Sequence, residues 1–323
     1  MLRFLIRRGI QGLAIVAIVA TLSFALIHLA PGDPFSALAD DARVSLEVRQ
    51  RWLAAYGFDR PLPEQYARYL LHLVRGDLGF SITFQRPVSE VLASALPNTL
   101  LLMGTALVAS LAVGITLGVI QARREGRAAD RVIGASTVAI GSLPDFWLAI
   151  VLMLLLAYWI PIFPVAGMID VVSHDYLTLA GRIRDRLVHL VLPVATLVLL
   201  STASIARYQR AALLDVLHEE WMRTARAKGL SERAAVLRHA LRNALAPVIT
   251  LVGLAFPSLL GGAVFVESVY AWPGMGSLAV HAVSTRDYSL VMAIAIVGSV
   301  LVVLGNILAD VLHAAADPRL RVS

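Results

Sequence analysis

The sequence predicts an all-α integral membrane protein with six transmembrane helices and both termini in the cytoplasm. Three observations carry that reading. First, apolar side chains make up 58% of the 323 residues and charged ones only 15%, with a mean hydropathy of +0.76. An ordinary soluble domain is about a quarter charged, so too little charge is present to cover this much apolar side chain with a water-facing shell. Second, six windows are nearly free of Asp, Glu, Lys and Arg: Gly9–Gly32, Val91–Ala122, Val132–Ile169, Leu187–Ala206, Asn243–Val266 and Tyr288–Ala309. Each holds the roughly 20 residues that a helix needs to cross about 30 Å of hydrocarbon. Third, the basic residues favour one side. With a cytoplasmic N-terminus, the inner segments 1–8, 121–131, 207–244 and 313–323 carry a net +10. The outer segments 30–96, 161–186 and 267–289 carry −2, and Asp145 and Asp310 complete the overall +6. That asymmetry has the sign of the positive-inside rule, and an even number of spans agrees with two cytoplasmic termini. The basic balance is therefore topology, and nucleic acid is not expected as a partner.

The elements follow in order. Arg3, Arg7 and Arg8 precede the first apolar run. The run is longer than the core of a secretion signal, and no small-x-small cleavage site follows cleanly, so it is read as a retained span. The chain then divides into an N-terminal tip and first helix at 1–29, an external amphipathic region at 30–94, a five-helix core at 95–313 and a cytoplasmic tail at 314–323. In the external region Ser45 can cap a helix through Ala55 that Gly57 ends, and a second helix is expected from Glu64 to Val74, stopped by Gly76. This region reads either as a cap on the membrane surface or as a docking surface. Val132–Ile169 is too long for one span, and Pro161, Pro164 and Gly167 read as its exit, so a single helix is placed near 132–159.

The loop at 207–244 predicts a helix from Arg207 to Lys228, ended by Gly229, and a second one capped by Ser231. It reads either as a solvated basic loop or as a surface for a cytoplasmic partner. Outside, Tyr270-Ala-Trp-Pro-Gly274 demands a tight turn at Pro273 and Gly274. Tyr270 and Trp272 suit the membrane–water interface. The segment reads either as an aromatic belt or as a lid over a translocation path.

Catalytic signatures are scarce. The chain has no cysteine, which excludes disulfides, Cys-ligated metals and thiol nucleophiles. Lys228 is its single lysine and precedes Gly229, so the glycine-lysine order of a nucleotide-binding P-loop is missing. His218-Glu219 begins a zinc-protease pattern, but its last position is Met222. His28 and His189 fall at span ends and read as satisfied interface residues. Asp145 lies inside the third window behind Pro144. An intramembrane carboxylate is a functional candidate by default, and here it reads either as a proton or ion site or as part of a kink that reaches water. Small residues such as Gly114, Gly118 and Gly253 suit close helix packing.

The run Trp221-Met-Arg-Thr-Ala-Arg-Ala-Lys-Gly-Leu230, followed by His239-Ala-Leu-Arg-Asn243, resembles the EAA loop of ABC-importer permeases. It is closest in pattern to the dipeptide/oligopeptide/nickel group. Arg223-Thr-Ala225 stands where the general pattern has Glu-Ala-Ala, with Gly229 in register. Pro31-Gly-Asp-Pro34, Gly76-Asp-Leu-Gly79, Leu143-Pro-Asp-Phe-Trp147, Val266-Glu-Ser-Val-Tyr270, Arg286-Asp-Tyr288 and Asp317-Pro-Arg319 look like landmarks of the same group. Their order is similar to that of the B half of its permease pair.

The resemblance implies a type I ABC-importer permease fold, with 95–313 as its transmembrane core, in the inner or plasma membrane. It implies a second, homologous permease, two cytoplasmic ATPase subunits and an external solute-binding protein as partners. ATP and Mg would be held by the ATPases, and no cofactor or metal by this chain. Glu220, Trp221, Arg223, Thr224, Ala225, Arg226, Ala227, Lys228 and Gly229 would form the ATPase-coupling helix. Pro144 and Asp145 would mark a pathway or kink, and Tyr270, Trp272, Pro273 and Gly274 an external gate or loop. No residue would be catalytic. The solute would be a peptide, or alternatively a nickel chelate, glutathione or an oligosaccharide. From other classes, a membrane-embedded enzyme or a self-contained secondary transporter would both use Asp145.

Overall fold

The computed structural model describes residues 2–29, 60–222, 231–236, 240–245, 248 and 263–316. The helices are α1 (Leu2–Leu29), α2 (Leu62–Val74), α3 (Val88–Arg123), α4 (Ala128–Gly141), α5 (Asp145–Met153), α6 (Leu179–Leu217), α7 (Met275–Ser284) and α8 (Tyr288–Ala316). Single-turn pieces lie at Glu232–Ala235 and Leu241–Ala244, and 263–269 is helical. Four helices are long and apolar enough to cross a bilayer, or five spans if the bent pair α4 and α5 counts as one. These lie on five of the six charge-poor windows. The remaining window, Asn243–Val266, falls mostly outside the described residues, as does the helix expected at Ser45–Ala55.

The single helix expected near 132–159 is instead two helices. α4 and α5 meet at 102° across Ser142-Leu143-Pro144. Pro144 is extended (φ −61°, ψ 138°) and α5 begins after it. Proline has no N–H for the preceding turn, and its ring pushes the residue before it out of the helical region. The apolar window could not reveal this, because the break costs no charge. α5 then widens into a π-helix at Leu154–Trp159.

The chain forms two compact units. One comprises Leu2–Pro97 and Ser277–Val303. In it α2 lies against α1: the Tyr66 hydroxyl and Thr21 Oγ1 are 2.8 Å apart, and the Phe24 ring stacks on Tyr69 at 5.7 Å. α2 starts at Leu62 rather than Glu64, because a proline in the first helical turn loses no intrahelical hydrogen bond. Gly76, at φ +76°, ends it. A two-residue antiparallel pairing of β1 (Phe80–Ser81) with β2 (Arg86–Pro87) follows. Its turn is fastened to α8: Ser81 Oγ donates to Asp287 Oδ2 at 2.5 Å and the Thr83 N–H to the same oxygen at 3.1 Å. Asp287 Oδ1 in turn accepts the Leu290 N–H at 3.2 Å, capping α8.

The other unit comprises Met1, Asn98–Gly276 and Leu304–Ser323. Its core gathers Leu102 and Ala106 of α3, Ala149 of α5, Leu190, Leu192 and Leu197 of α6, and Val266, Tyr270 and Trp272. Thr178 caps α6 by accepting the Gly181 N–H at 3.3 Å. α3 and α6 approach closely at Gly118, where a Cβ would come within 2.7 Å of the Ala206 carbonyl oxygen. The expected helix from Arg207 is not separate, since α6 runs unbroken to Leu217 and turns at His218. Ala122, Leu213, Met222, Ala235 and Ala240 form a second apolar cluster beyond that turn.

Candidate functional site

The candidate external gate is built around a carboxylate. Glu267 is fully buried. Its Oε1 accepts the Thr99 hydroxyl at 2.6 Å and its Oε2 the Gly276 N–H at 2.7 Å. Thr99 Oγ1 accepts the Met275 N–H at 2.7 Å, so one hydroxyl joins α3, the carboxylate and the start of α7. A buried carboxylate is tolerated only when its oxygens are hydrogen-bonded. Gly274 lies directly on this group: a Cβ there would overlap the Glu267 side chain. Asn98 holds the same loop from the other side. Its side-chain amide donates to the Pro273 carbonyl at 2.8 Å, and its own carbonyl accepts the Trp272 Nε1–H at 3.0 Å.

Tyr270 and Trp272, read from sequence as an aromatic belt or as part of a lid, pack inside the protein rather than facing outward. They are 2% and 0% exposed. The Tyr270 hydroxyl donates to the Ala149 carbonyl at 3.0 Å and lies 3.1 Å from Thr196 Oγ1. The indole and phenol each have a polar handle that can be satisfied in a dry interior, and here both find partners on other helices. The loop after α5 is tied to them by the Gly167 N–H, which donates to the Tyr270 carbonyl at 2.8 Å. Sequence reasoning singled out Tyr270, Trp272, Pro273 and Gly274, named Glu267 only within a landmark, and missed Asn98 and Thr99. The signal for those two was a polar pair directly after Pro97 in a window free of charge.

Asp145, read from sequence as a proton or ion site or as part of a kink, is the first residue of α5, at the break behind Pro144, and is partly exposed. A carboxylate in the first turn of a helix is favoured by the unpaired N–H groups there. Its position after Pro144 therefore has a local physical reason.

Of the residues implied in the coupling helix, Glu220 and Trp221 are described, and so is the neighbouring Met222. Met222 is fully buried and Trp221 is 39% exposed. Arg223, Thr224, Ala225, Arg226, Ala227, Lys228 and Gly229 lie outside the described residues. Beyond them Ser231 accepts the Ala234 N–H through its hydroxyl at 3.3 Å, the expected helix cap.

A cluster unforeseen from sequence lies between α5 and α6. Asp185 Oδ2 is 2.6 Å from His174 Nδ1, and its Oδ1 is 3.2 Å from His189 Nδ1. The Asp170 N–H also donates to Asp185, at 3.1 Å. The backbone N–H groups of Ser173 and Val172 hold the Asp170 carboxyl below the usual carboxylate range. Among the described residues no group of three or more His, Cys, Asp or Glu could hold a metal ion. The cluster orders the 167–178 loop. His28 is likewise satisfied, by the Phe24 carbonyl at 2.8 Å and Gln65 Oε1 at 3.0 Å.

The fold has counterparts of known structure. An inward-facing MetNI methionine ABC transporter matches with a TM-score of 0.56 at 17% identity, covering 71% of this chain and 97% of that one. An amino acid ABC transporter matches with a TM-score of 0.50 at 16% identity, covering 70% and 94%. These share the fold. Sequence relatives run the full length. The oligopeptide transport system permease protein AppB of Bacillus subtilis (strain 168) is 39% identical over 321 residues, 99% of each chain. The glutathione transport system permease protein GsiC of Salmonella typhimurium (strain LT2) is 38% identical over 325 residues, 99% of each. The di/tripeptide transport system permease protein DppB of Pseudomonas aeruginosa (strain UCBPP-PA14) is 37% identical over 335 residues, again 99% of each. The family described as the N-terminal part of a binding-protein-dependent transport system membrane component matches residues 1–103. The description "binding-protein-dependent transport system inner membrane component" matches residues 114–322. Fold, length and sequence thus converge, and the chain belongs to the binding-protein-dependent transport system inner membrane components.

Proposed function

We propose that this chain is one of two permease subunits of an ATP-driven importer for di- or oligopeptides. The observation that supports this most is the 39% identity to an oligopeptide permease over 99% of both chains. Glutathione is the second reading, supported by a glutathione permease at 38% identity over the same span. Glutathione is itself a tripeptide, so the two readings differ in the γ-glutamyl linkage and thiol of the solute rather than in its size.

In this reading a homologous permease encloses the path with the present chain. Two cytoplasmic ATPases bind ATP and Mg, and an external binding protein delivers the solute. Six spans cross the membrane with both termini in the cytoplasm, as the arginine distribution supports. The core is 95–313, preceded by the first helix at 1–29 and the external region at 30–94. The segment Glu220–Gly229 seats in an ATPase cleft and passes closure to α6 and the fifth span. Glycine at 229 and a small residue at 225 let that helix sit close to its partner. The Pro144–Asp145 break and the Tyr270–Gly274 loop mark the path and its outer gate. The chain is a transport subunit, and hydrolysis occurs on the other subunits.

Coupling is tested in the reconstituted complex. Gly229→Val and Ala225→Asp are each expected to leave assembly in the membrane intact while lowering peptide uptake at least about tenfold per ATP hydrolysed, the effect of about 1.4 kcal/mol in a coupling step. Unchanged uptake in both variants would remove the coupling role from this loop.

A further inference from the structure

A cavity of about 370 Å³ lies within the unit formed by Leu2–Pro97 and Ser277–Val303. That is the size of a small-ligand site, and its two sides differ in chemistry. One side is apolar: Phe24 from α1, Leu73 from α2, Phe80 from β1, and Met292 and Ile296 from α8. The other lining residues are polar and carry both signs of charge: Arg60, Gln65, Arg68, His72 and Asp77. The walls are fixed. Gln65 is bonded to His28 at 3.0 Å, and Phe24 stacks on Tyr69 at 5.7 Å.

Three features of this cavity point to an occupant. First, Arg60 and Arg68 share one carboxylate: both reach Glu64 Oε1, Arg68 from 3.2 Å. Among the described residues this leaves one guanidinium charge uncompensated at the rim. His72 faces its own acid, Asp77, at 2.8 Å. Second, the Tyr69 hydroxyl is buried on the cavity wall and has no hydrogen-bond partner among the described residues. A buried hydroxyl is almost always satisfied, so an acceptor brought into the cavity would complete it. Third, the cavity lies where α1 ends and α8 begins, at Phe24–His28 and Ser289–Ile296. Both helices are apolar enough to span a bilayer, so the cavity sits at the end of two spans, where lipid headgroups lie. Apolar wall, an arginine pair that shares a single carboxylate, and interfacial position together describe an anionic amphiphile.

We propose that this cavity is a binding site for one phospholipid with an anionic headgroup, its phosphate between Arg60 and Arg68 and the first carbons of an acyl chain along Phe24, Met292 and Ile296. The site goes beyond the transport reading and shares no residue with the loop at Glu267 or the coupling segment.

The test uses the whole transporter, purified with its partner subunits and placed in phosphatidylcholine nanodiscs that contain spin-labelled phosphatidylglycerol. Expected is an immobilised phosphatidylglycerol population that inorganic phosphate at millimolar concentration does not displace. Arg60→Gln with Arg68→Gln should weaken its retention about tenfold, the loss of charge-assisted hydrogen bonds to a phosphate. Tyr69→Phe, which keeps the ring and its stacking, should weaken retention several-fold. Equal immobilisation of spin-labelled phosphatidylcholine, displacement by inorganic phosphate (a free-anion site only), or unchanged retention in both variants would overturn the proposal. Lipid retention is read independently of peptide uptake, so its failure leaves the transport function standing.

Discussion

Glu267 shows how much one side chain organises. It receives hydrogen bonds from Thr99 and Gly276, and the turn at Gly274 is shaped around its carboxylate. Adding a methyl at Gly274 forces the carboxylate or the turn to move, an overpacking cost of about 1 to 3 kcal/mol. Gly274→Ala is therefore expected to lower the melting temperature of the purified complex and to slow uptake, whereas Gly9→Ala, with nothing within 4 Å of the added carbon, should change neither. Thermal unfolding in detergent separates the two. Part of this site was legible in the sequence: Pro273-Gly274 declared a turn, and Trp272 declared a residue with a purpose. Its centre was not. Thr99 and Glu267 are 168 positions apart, and no local pattern links residues at that separation. The same limitation hid the burial of Tyr270 and Trp272, whose hydrogen-bond partners come from other helices.

At the scale of elements, freedom from charge located the spans well, because the bilayer excludes charge whatever the helix packs against. It could not report where a span breaks. The bend between α4 and α5 depends on Pro144, a residue neutral in hydropathy and decisive in geometry. The short pairing of β1 with β2 was invisible for a different reason: two residues per strand are too few to show an alternation. Asp145 at the start of α5 has a local structural role at the break. Asp145→Asn keeps a side chain able to accept a hydrogen bond in the first helical turn, and peptide uptake is expected to stay within about twofold of the parent, a difference of under 0.5 kcal/mol. A membrane-embedded enzyme or proton-coupled transporter that used this carboxylate would lose activity in the same variant, and an uptake assay across pH would expose the difference.

For the whole molecule, the charge count makes the largest claim: +10 on one side against −2 on the other. Because the chain has no cysteine, single cysteines report sidedness directly. Glu125→Cys, in the exposed connection between α3 and α4, is expected to react with a membrane-impermeant maleimide only from the cytoplasmic face. Val171→Cys, 88% exposed between α5 and α6, should react only from outside. Reversed or mixed labelling would contradict the topology without touching the family assignment. The proposed function divides the labour: this subunit would form a path and leave nucleotide chemistry to others. The most direct test of that division is uptake of a labelled dipeptide by proteoliposomes holding this chain, its partner permease, the two ATPases and the binding protein. The account predicts uptake that requires enclosed or added ATP on the ATPase side and disappears when this chain is omitted. ATP-independent accumulation of the dipeptide by this chain alone would contradict it.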